Sequence, residues 1–294
     1  MKDQGQLLRD YIENYVRREQ AEQENEPTQN TTKVISVTSG KGGVGKTNFT
    51  VNFAIELSKR GKKVLIIDAD FGLSNIDVVL GILPKYDLSH VLTRQKSISE
   101  VITEGCNGVK FIAGGSGISD LFNLDTEDIQ YFIEEIMTLE NMVDIIIFDT
   151  GAGVNNNNMQ MISTSDEVMV IVTTEPTSVI DAYALCKIIN KQNSSQSIRL
   201  VVNRADSPKE AGRIVENFKR VSNIYLKTDI KEIGYILDDP NVSKSVKMQS
   251  PVTVSFPNSV ASKNIAKIAD AFLADSTTNN KSGLKSFFQK MLKL

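Results

Sequence analysis

The sequence predicts an α/β fold, doubly wound, in which a mostly parallel sheet carries helices on both faces. Three observations point there. Short runs rich in β-branched residues, apolar almost throughout as strands covered on both faces require, recur between residues 33 and 274. Longer amphipathic stretches of helical period follow most of them. The first apolar run also leads through a glycine-rich segment directly into the first helical stretch. An N-terminal helix and a C-terminal amphipathic helix are expected to flank this body.

The strand candidates are Val34–Val37, Val64–Ile67, Ile145–Phe148, Val168–Val172 and Leu200–Val202, and the helix candidates are Asn48–Arg60, Val179–Lys191 and Pro208–Ser222. Ahead of the body, residues 1–24 form a polar leader in which Leu7, Leu8, Tyr11, Ile12, Tyr15 and Val16 make one helical stripe. Residues 25–32 read as a linker, residues 33–274 as the body and residues 275–281 as a second linker. In the tail, residues 282–294, Leu284, Phe287, Phe288, Met291 and Leu292 fall on one helical face, and the charges from Lys281 onward are all lysines. Such a helix can lie on an anionic lipid surface or pack on its own body; the linker, the paired phenylalanines and the lysines favour lipid.

Composition narrows the function. The 294 residues are 40% hydrophobic and 23% charged, which excludes a disordered or collagen-like chain. No apolar run reaches the roughly 18 residues that a membrane span needs. The opening Met1-Lys2-Asp3-Gln4-Gly5-Gln6 lacks a signal peptide's apolar stretch, so a cytoplasmic location is expected. Cys106 and Cys186 form no Cys-x-x-Cys pair and are expected to be reduced. A net charge of −3 gives no basic footprint, so no nucleic-acid partner is expected. With His90 the single histidine, a histidine metal site or a catalytic triad is disfavoured.

The chemistry lies in Gly40-Lys41-Gly42-Gly43-Val44-Gly45-Lys46-Thr47, which satisfies G-x-x-x-x-G-K-[ST] between a strand and a helix beginning near Asn48. Glycines let backbone N–H groups converge on phosphate oxygens, and the helix N-terminus adds a favourable dipole. Lys46 is placed to neutralise the β- and γ-phosphates and Thr47 to ligate Mg²⁺. Val64–Ile67 ends in Asp68-Ala69-Asp70, two carboxylates on one side of a strand end, where they can act near a metal or on an attacking water. Ile145–Phe148 leads to Asp149-Thr150-Gly151-Ala152-Gly153, with Asp149 as a Mg²⁺ carboxylate. The guanine-specifying Asn-Lys-x-Asp pattern is missing, since Asn190-Lys191-Gln192-Asn193 lacks the aspartate, so ATP is the expected nucleotide.

The second lysine, Lys41, is not needed to cradle phosphates, and the whole motif resembles the deviant Walker A motif of the MinD/ParA family of ATPases. The resemblance implies a face-to-face homodimer formed with ATP, in which Lys41 reaches the partner's nucleotide. It also implies that Asp70 positions the attacking water with Asp68 near the metal, and that the Gly151 backbone approaches the γ-phosphate. Asn203 and Arg204 match the family's adenine site, and Asp238 falls in its closing loop. The chain departs from the family after Gly153, where Val154-Asn155-Asn156-Asn157-Asn158 follows. A C-terminal membrane-targeting helix is also a feature of MinD-type members. Asp3-Gln4-Gly5-Gln6-Leu7-Leu8-Arg9 resembles the Asp-Gln-Ala-x-x-Leu-Arg activator segment of the FlhG (YlxH) family. Gly5 stands for its alanine, a change costing about 0.5–1 kcal/mol of local helix stability. That resemblance implies control of flagellar number and placement, stimulation of the signal-recognition-type GTPase FlhF through Asp3, Gln4, Leu7, Leu8 and Arg9, contact with flagellar C-ring proteins, and reversible residence at the inner face of the membrane. A division-site or DNA-partition ATPase of MinD or ParA type is the alternative.

Overall fold

The computed structural model describes residues 32–70, 75–115, 126–140, 142–226 and 230–275, together with Leu284 and Phe287. In chain order it contains β1 (Lys33–Thr38), α1 (Lys46–Lys59), β2 (Val64–Ala69), α2 (Ile76–Leu80), α3 (Leu88–Leu92), α4 (Ile98–Val101), β3 (Thr103–Glu104), β4 (Lys110–Ile112), α5 (Thr126–Met137) and β5 (Ile145–Thr150). The second half adds α6 (Asn156–Thr164), β6 (Glu167–Thr173), α7 (Pro176–Gln192), β7 (Ile198–Ala205), α8 (Pro208–Tyr225), β8 (Ile230–Leu237), α9 (Pro240–Lys247), α10 (Val252–Ser255) and α11 (Val260–Asp275).

The eight strands form one sheet in the order β3-β4-β2-β5-β1-β6-β7-β8. Every pairing is parallel except that of β3 with β4. Side-chain alternation divides the strand residues between two apolar layers. Ile35, Val37, Ile66, Ile147 and Ile171 face a core built with Phe49 and Phe53 of α1 and Ile268 and Phe272 of α11. Val34, Leu65, Ile146 and Phe148 face the opposite side, where α3, α4 and α5 pack. On that same side α7 and α8 cover Val168, Val170, Leu200 and Val202. β1 sits between β5 and β6, so the glycine-rich loop emerges at the carboxyl edge of the sheet centre, where ligands bind in doubly wound folds.

Of the tail, the structure describes Leu284 and Phe287. Leu284 and Phe287 are buried in the layer formed by Leu88, Val91, Phe132 and Phe148. The Phe287 ring stacks on Phe148 with centroids 5.1 Å apart. An apolar helical face is stabilised by any dry surface, and here the body supplies one. Phe288, Met291 and Leu292 lie outside the described residues, as do Asp3, Gln4, Leu7, Leu8 and Arg9. No helix among the described residues is long and apolar enough to cross a membrane.

Candidate nucleotide site

The loop between β1 and α1 folds as its glycines require. Gly45 caps α1 at φ 90°, a backbone state open to glycine and costly for other residues. A Cβ on Gly40 would lie 2.3 Å from the Asp181 backbone carbon, so this glycine lets the loop pack against α7. Gly42 and Gly43 are exposed, while Val44 is buried beneath the loop. Asn203, at the end of β7, donates from Nδ2 to the Val44 carbonyl over 2.8 Å. The residue expected to read adenine therefore also braces the phosphate loop.

The carboxylate expected on the metal side is Asp149. Its Oδ1 accepts from Lys46 Nζ at 3.2 Å and from Thr50 Oγ1 at 2.9 Å, both buried. Asp149 Oδ2 is buried without a donor. An orphaned, desolvated carboxylate oxygen is costly unless a cation takes it, which fits a magnesium ion held with Thr47. Asp68 is engaged elsewhere. Its Oδ1 accepts from Asp70 N at 3.1 Å and its Oδ2 from Asn75 N at 3.0 Å, so backbone N–H groups of its own loop claim the oxygens expected near the metal. That arrangement holds the segment bearing Asp70. Asp70 in turn comes close to Gly151, where an added Cβ would lie 3.1 Å from Asp70 Oδ1. Gly153 N donates to Ser39 O over 3.0 Å, tying the turn after β5 to the phosphate loop.

Lys41 does not point into its own phosphate loop. Its Nζ donates to Glu175 Oε2 at 2.8 Å and to Thr177 Oγ1 at 3.1 Å, both at the start of α7. The Lys41 ammonium holds the Glu175 carboxyl below the usual carboxylate range. Beside the loop lies a cavity of about 500 Å³ lined by Asn48, Asn203, Arg204, Asp238 and Val242 among others. Asp238 is exposed at its rim. The neighbouring Asp239 is a structural group, accepting from Asn241 N at 2.9 Å and Ala261 N at 3.1 Å.

Sequence reasoning missed Thr50, Glu175 and Thr177. Thr50 carried a usable signal, because it lies one helical turn after Lys46 and shares its face. Glu175 carried none, since 134 positions separate it from Lys41.

An AAA domain family matches residues 32–202. The antiactivator FleN of Pseudomonas aeruginosa is 34% identical over 88% of this chain and 93% of its own length. The flagellum site-determining protein YlxH of Helicobacter pylori is 34% identical over 89% of this chain and 90% of its own. The chain belongs to the MinD/ParA family of P-loop ATPases, in its FleN/YlxH (FlhG) branch. It is an ATP hydrolase of that family. The solved MinC:MinD complex of Aquifex aeolicus superposes with a TM-score of 0.67 at 28% identity, covering 83% of this chain and 96% of that one. The magnesium–ADP complex of Pyrococcus horikoshii MinD, at 23% identity and a TM-score of 0.66, shares the fold and covers 84% of this chain and 99% of that one.

Proposed function

We propose that the chain is an ATP-switched positioning ATPase controlling flagellar number and placement, a reading supported by its likeness to FleN and YlxH. ATP occupies the cradle of Gly40, Lys41, Gly42, Gly43, Val44, Gly45, Lys46 and Thr47, with adenine in the cavity between Asn48, Asn203, Arg204 and Asp238. Thr47 and Asp149 hold Mg²⁺, which supplies charge neutralisation on the phosphates when bound. Lys46 gives up its contact with Asp149 to meet the β- and γ-phosphates, and Asp70 orients the attacking water. Lys41 leaves Glu175 to reach the nucleotide of a second copy, so that ATP binding closes a homodimer.

One observation carries the switch. Phe287 of the tail stacks on Phe148, the residue immediately before Asp149, so tail docking and the metal strand share a side chain. In the monomer Leu284 and Phe287 of the tail are covered. In the dimer two tails are released together onto anionic lipid, and paired weak anchors hold far better than one. The leader's Asp3, Gln4, Leu7, Leu8 and Arg9 reach the GTPase FlhF, and the dimer body contacts C-ring proteins. The result is a cytoplasmic protein that resides reversibly at the inner face of the membrane.

Two assays test this. Sedimentation with anionic vesicles should retain the chain with ATP and release it with ADP, and truncation after Ala274 should abolish retention. FlhF GTP hydrolysis should rise with a peptide of residues 1–24 and not with its Gln4→Ala form. Equal sedimentation with both nucleotides would remove the membrane switch, and no stimulation at saturating peptide would remove the FlhF role.

A further inference from the structure

The asparagine run that departs from the family pattern ends inside the site. Asn155 caps α6, its Oδ1 accepting from Asn158 N at 2.7 Å. Asn158 itself is fully buried. Its Nδ2 donates to the Gly151 carbonyl at 3.2 Å. That carbonyl fixes the amide's orientation, because a flipped side chain would set two acceptor oxygens against each other. The consequence is that Asn158 Oδ1 is buried and has no donor. A buried amide oxygen left unpaired is costly, and a helix turn needs no asparagine here. A Cβ built on Gly151 would lie 3.1 Å from Asp70 Oδ1 and 3.2 Å from Asn158 Nδ2, so both side chains flank the same glycine.

We propose that Asn158 is a positioning residue for ATP hydrolysis, a role that rests on the nucleotide site proposed above. Its Nδ2 holds the Gly151 turn beside Asp70, and so fixes the carboxylate that orders the water. In the reaction the water oxygen bonds to the γ-phosphorus as the bond to the β-phosphate oxygen breaks. ADP and hydrogen phosphate leave, and one proton passes to solvent. Asn158 neither takes that proton nor touches the phosphate; it acts by fixing the turn and restricting the water.

Steady-state kinetics on the full chain test this, together with binding of a fluorescent ATP analogue and the lifetime of the ATP-formed dimer by chromatography. Asn158→Ala removes both the donor and the acceptor. Asn158→Asp keeps an oxygen but turns the donor into a second acceptor facing the Gly151 carbonyl. Both should lower kcat about 10-fold or more with KM and analogue affinity within about twofold, and lengthen the dimer lifetime in proportion. Asn155→Ala, which removes only the helix cap, should lower the thermal midpoint and leave kcat unchanged. Unchanged kcat in both Asn158 variants overturns the proposal. So does a fall in kcat matched by equal losses of analogue affinity and melting temperature, the signature of a merely structural residue. Failure of the wild-type chain to bind the analogue at all would instead strike the nucleotide site itself.

Discussion

Two buried lysine–carboxylate pairs lie at opposite edges of the sheet, and their difference separates function from architecture. At the carboxyl edge Lys46 faces Asp149 at 3.2 Å, with side chains 8% and 1% exposed. At the opposite edge Lys33 of β1 faces Glu167 of β6 at 2.6 Å, with side chains 5% and 1% exposed. The second pair is enclosed. Arg199 of β7 also contacts Glu167 and pairs with Asp275 at 2.8 Å, and the Lys33 and Arg199 cations both lie over the Phe272 ring. Lys231 of β8 lies 3.8 Å from the same Asp275 carboxylate, and the cluster clamps the last turn of α11 to the sheet. At the nucleotide edge the Lys46–Asp149 pair stands beside the phosphate loop, and the nucleotide proposed there gives the lysine a reason to move. Similar burial and similar chemistry thus weld strands together at one edge and stand beside the phosphate loop at the other.

Breaking the weld should produce the largest effect. Removing one member of a buried ion pair costs about 3–5 kcal/mol, because the remaining charge stays desolvated. Glu167→Gln should therefore destabilise the nucleotide-free protein by that order in urea unfolding and leave ATP affinity unchanged. A loss of affinity without a loss of stability would join the two edges functionally and erase the distinction.

Lys46→Gln is the converse. Asp149 keeps its Thr50 donor but stays buried and charged, so folding should suffer too, while nucleotide binding loses a charge-assisted contact to phosphate. Such contacts are worth about 1.5–3 kcal/mol, or roughly 10–100-fold in affinity. Titration with a fluorescent ATP analogue measures it directly, and undiminished affinity would deny Lys46 its phosphate role.

Much of this contrast was legible in the sequence and some of it could not be. β1, β2, β5, β6 and β7 were found because strands buried on both faces read as continuous apolar runs. β8 was missed because it is an edge strand, where Lys231 and Glu232 face solvent and break the run. β4, of three residues, is too short for any period to show. Gly40 to Thr47 announced the nucleotide site because its chemistry is local. The loop contacts of Asp68 could not be read, because an aspartate serving its own loop has the same spacing as one near a metal. The tail's apolar face was legible, but not its cover, since Phe148 and Leu88 meet it only in three dimensions. Glu167 and Arg199 look like ordinary charges until the sheet brings their strands together.

The welded edge also predicts a pH dependence. Burial, with Arg199 repulsion added, pushes the Lys33 ammonium down to about 8 from 10.5. A lysine whose folded pKa lies below its unfolded value costs stability while charged. The cost is full below about pH 8 and is relieved as the pH rises from 8 towards 10.5. Denaturant unfolding of the wild type, compared with Lys33→Met at each pH, should show a relative gain on the order of 1–3 kcal/mol across that interval. A flat difference would mean that Lys33 stays charged throughout and that Glu167 compensates its burial completely.

The smallest effect concerns the half-exposed pair that links switch to solvent. Lys41 and Glu175 are 41% and 63% exposed, and ion pairs so exposed contribute little. If this contact parks Lys41 away from the second copy, Glu175→Gln should shift ATP-dependent dimerisation to lower protein concentration by up to about fivefold. Added salt should shrink the difference, because screening already weakens the parked state in the wild type. Chromatography with ATP across a dilution series, at low and high salt, reads both quantities. A dimer weakened by the substitution would give Glu175 the opposite role. It would then hold the partner's residues across the interface, and the parking role would fail. The sign of a small shift, more than its size, therefore decides whether Glu175 belongs to the monomer or to the dimer.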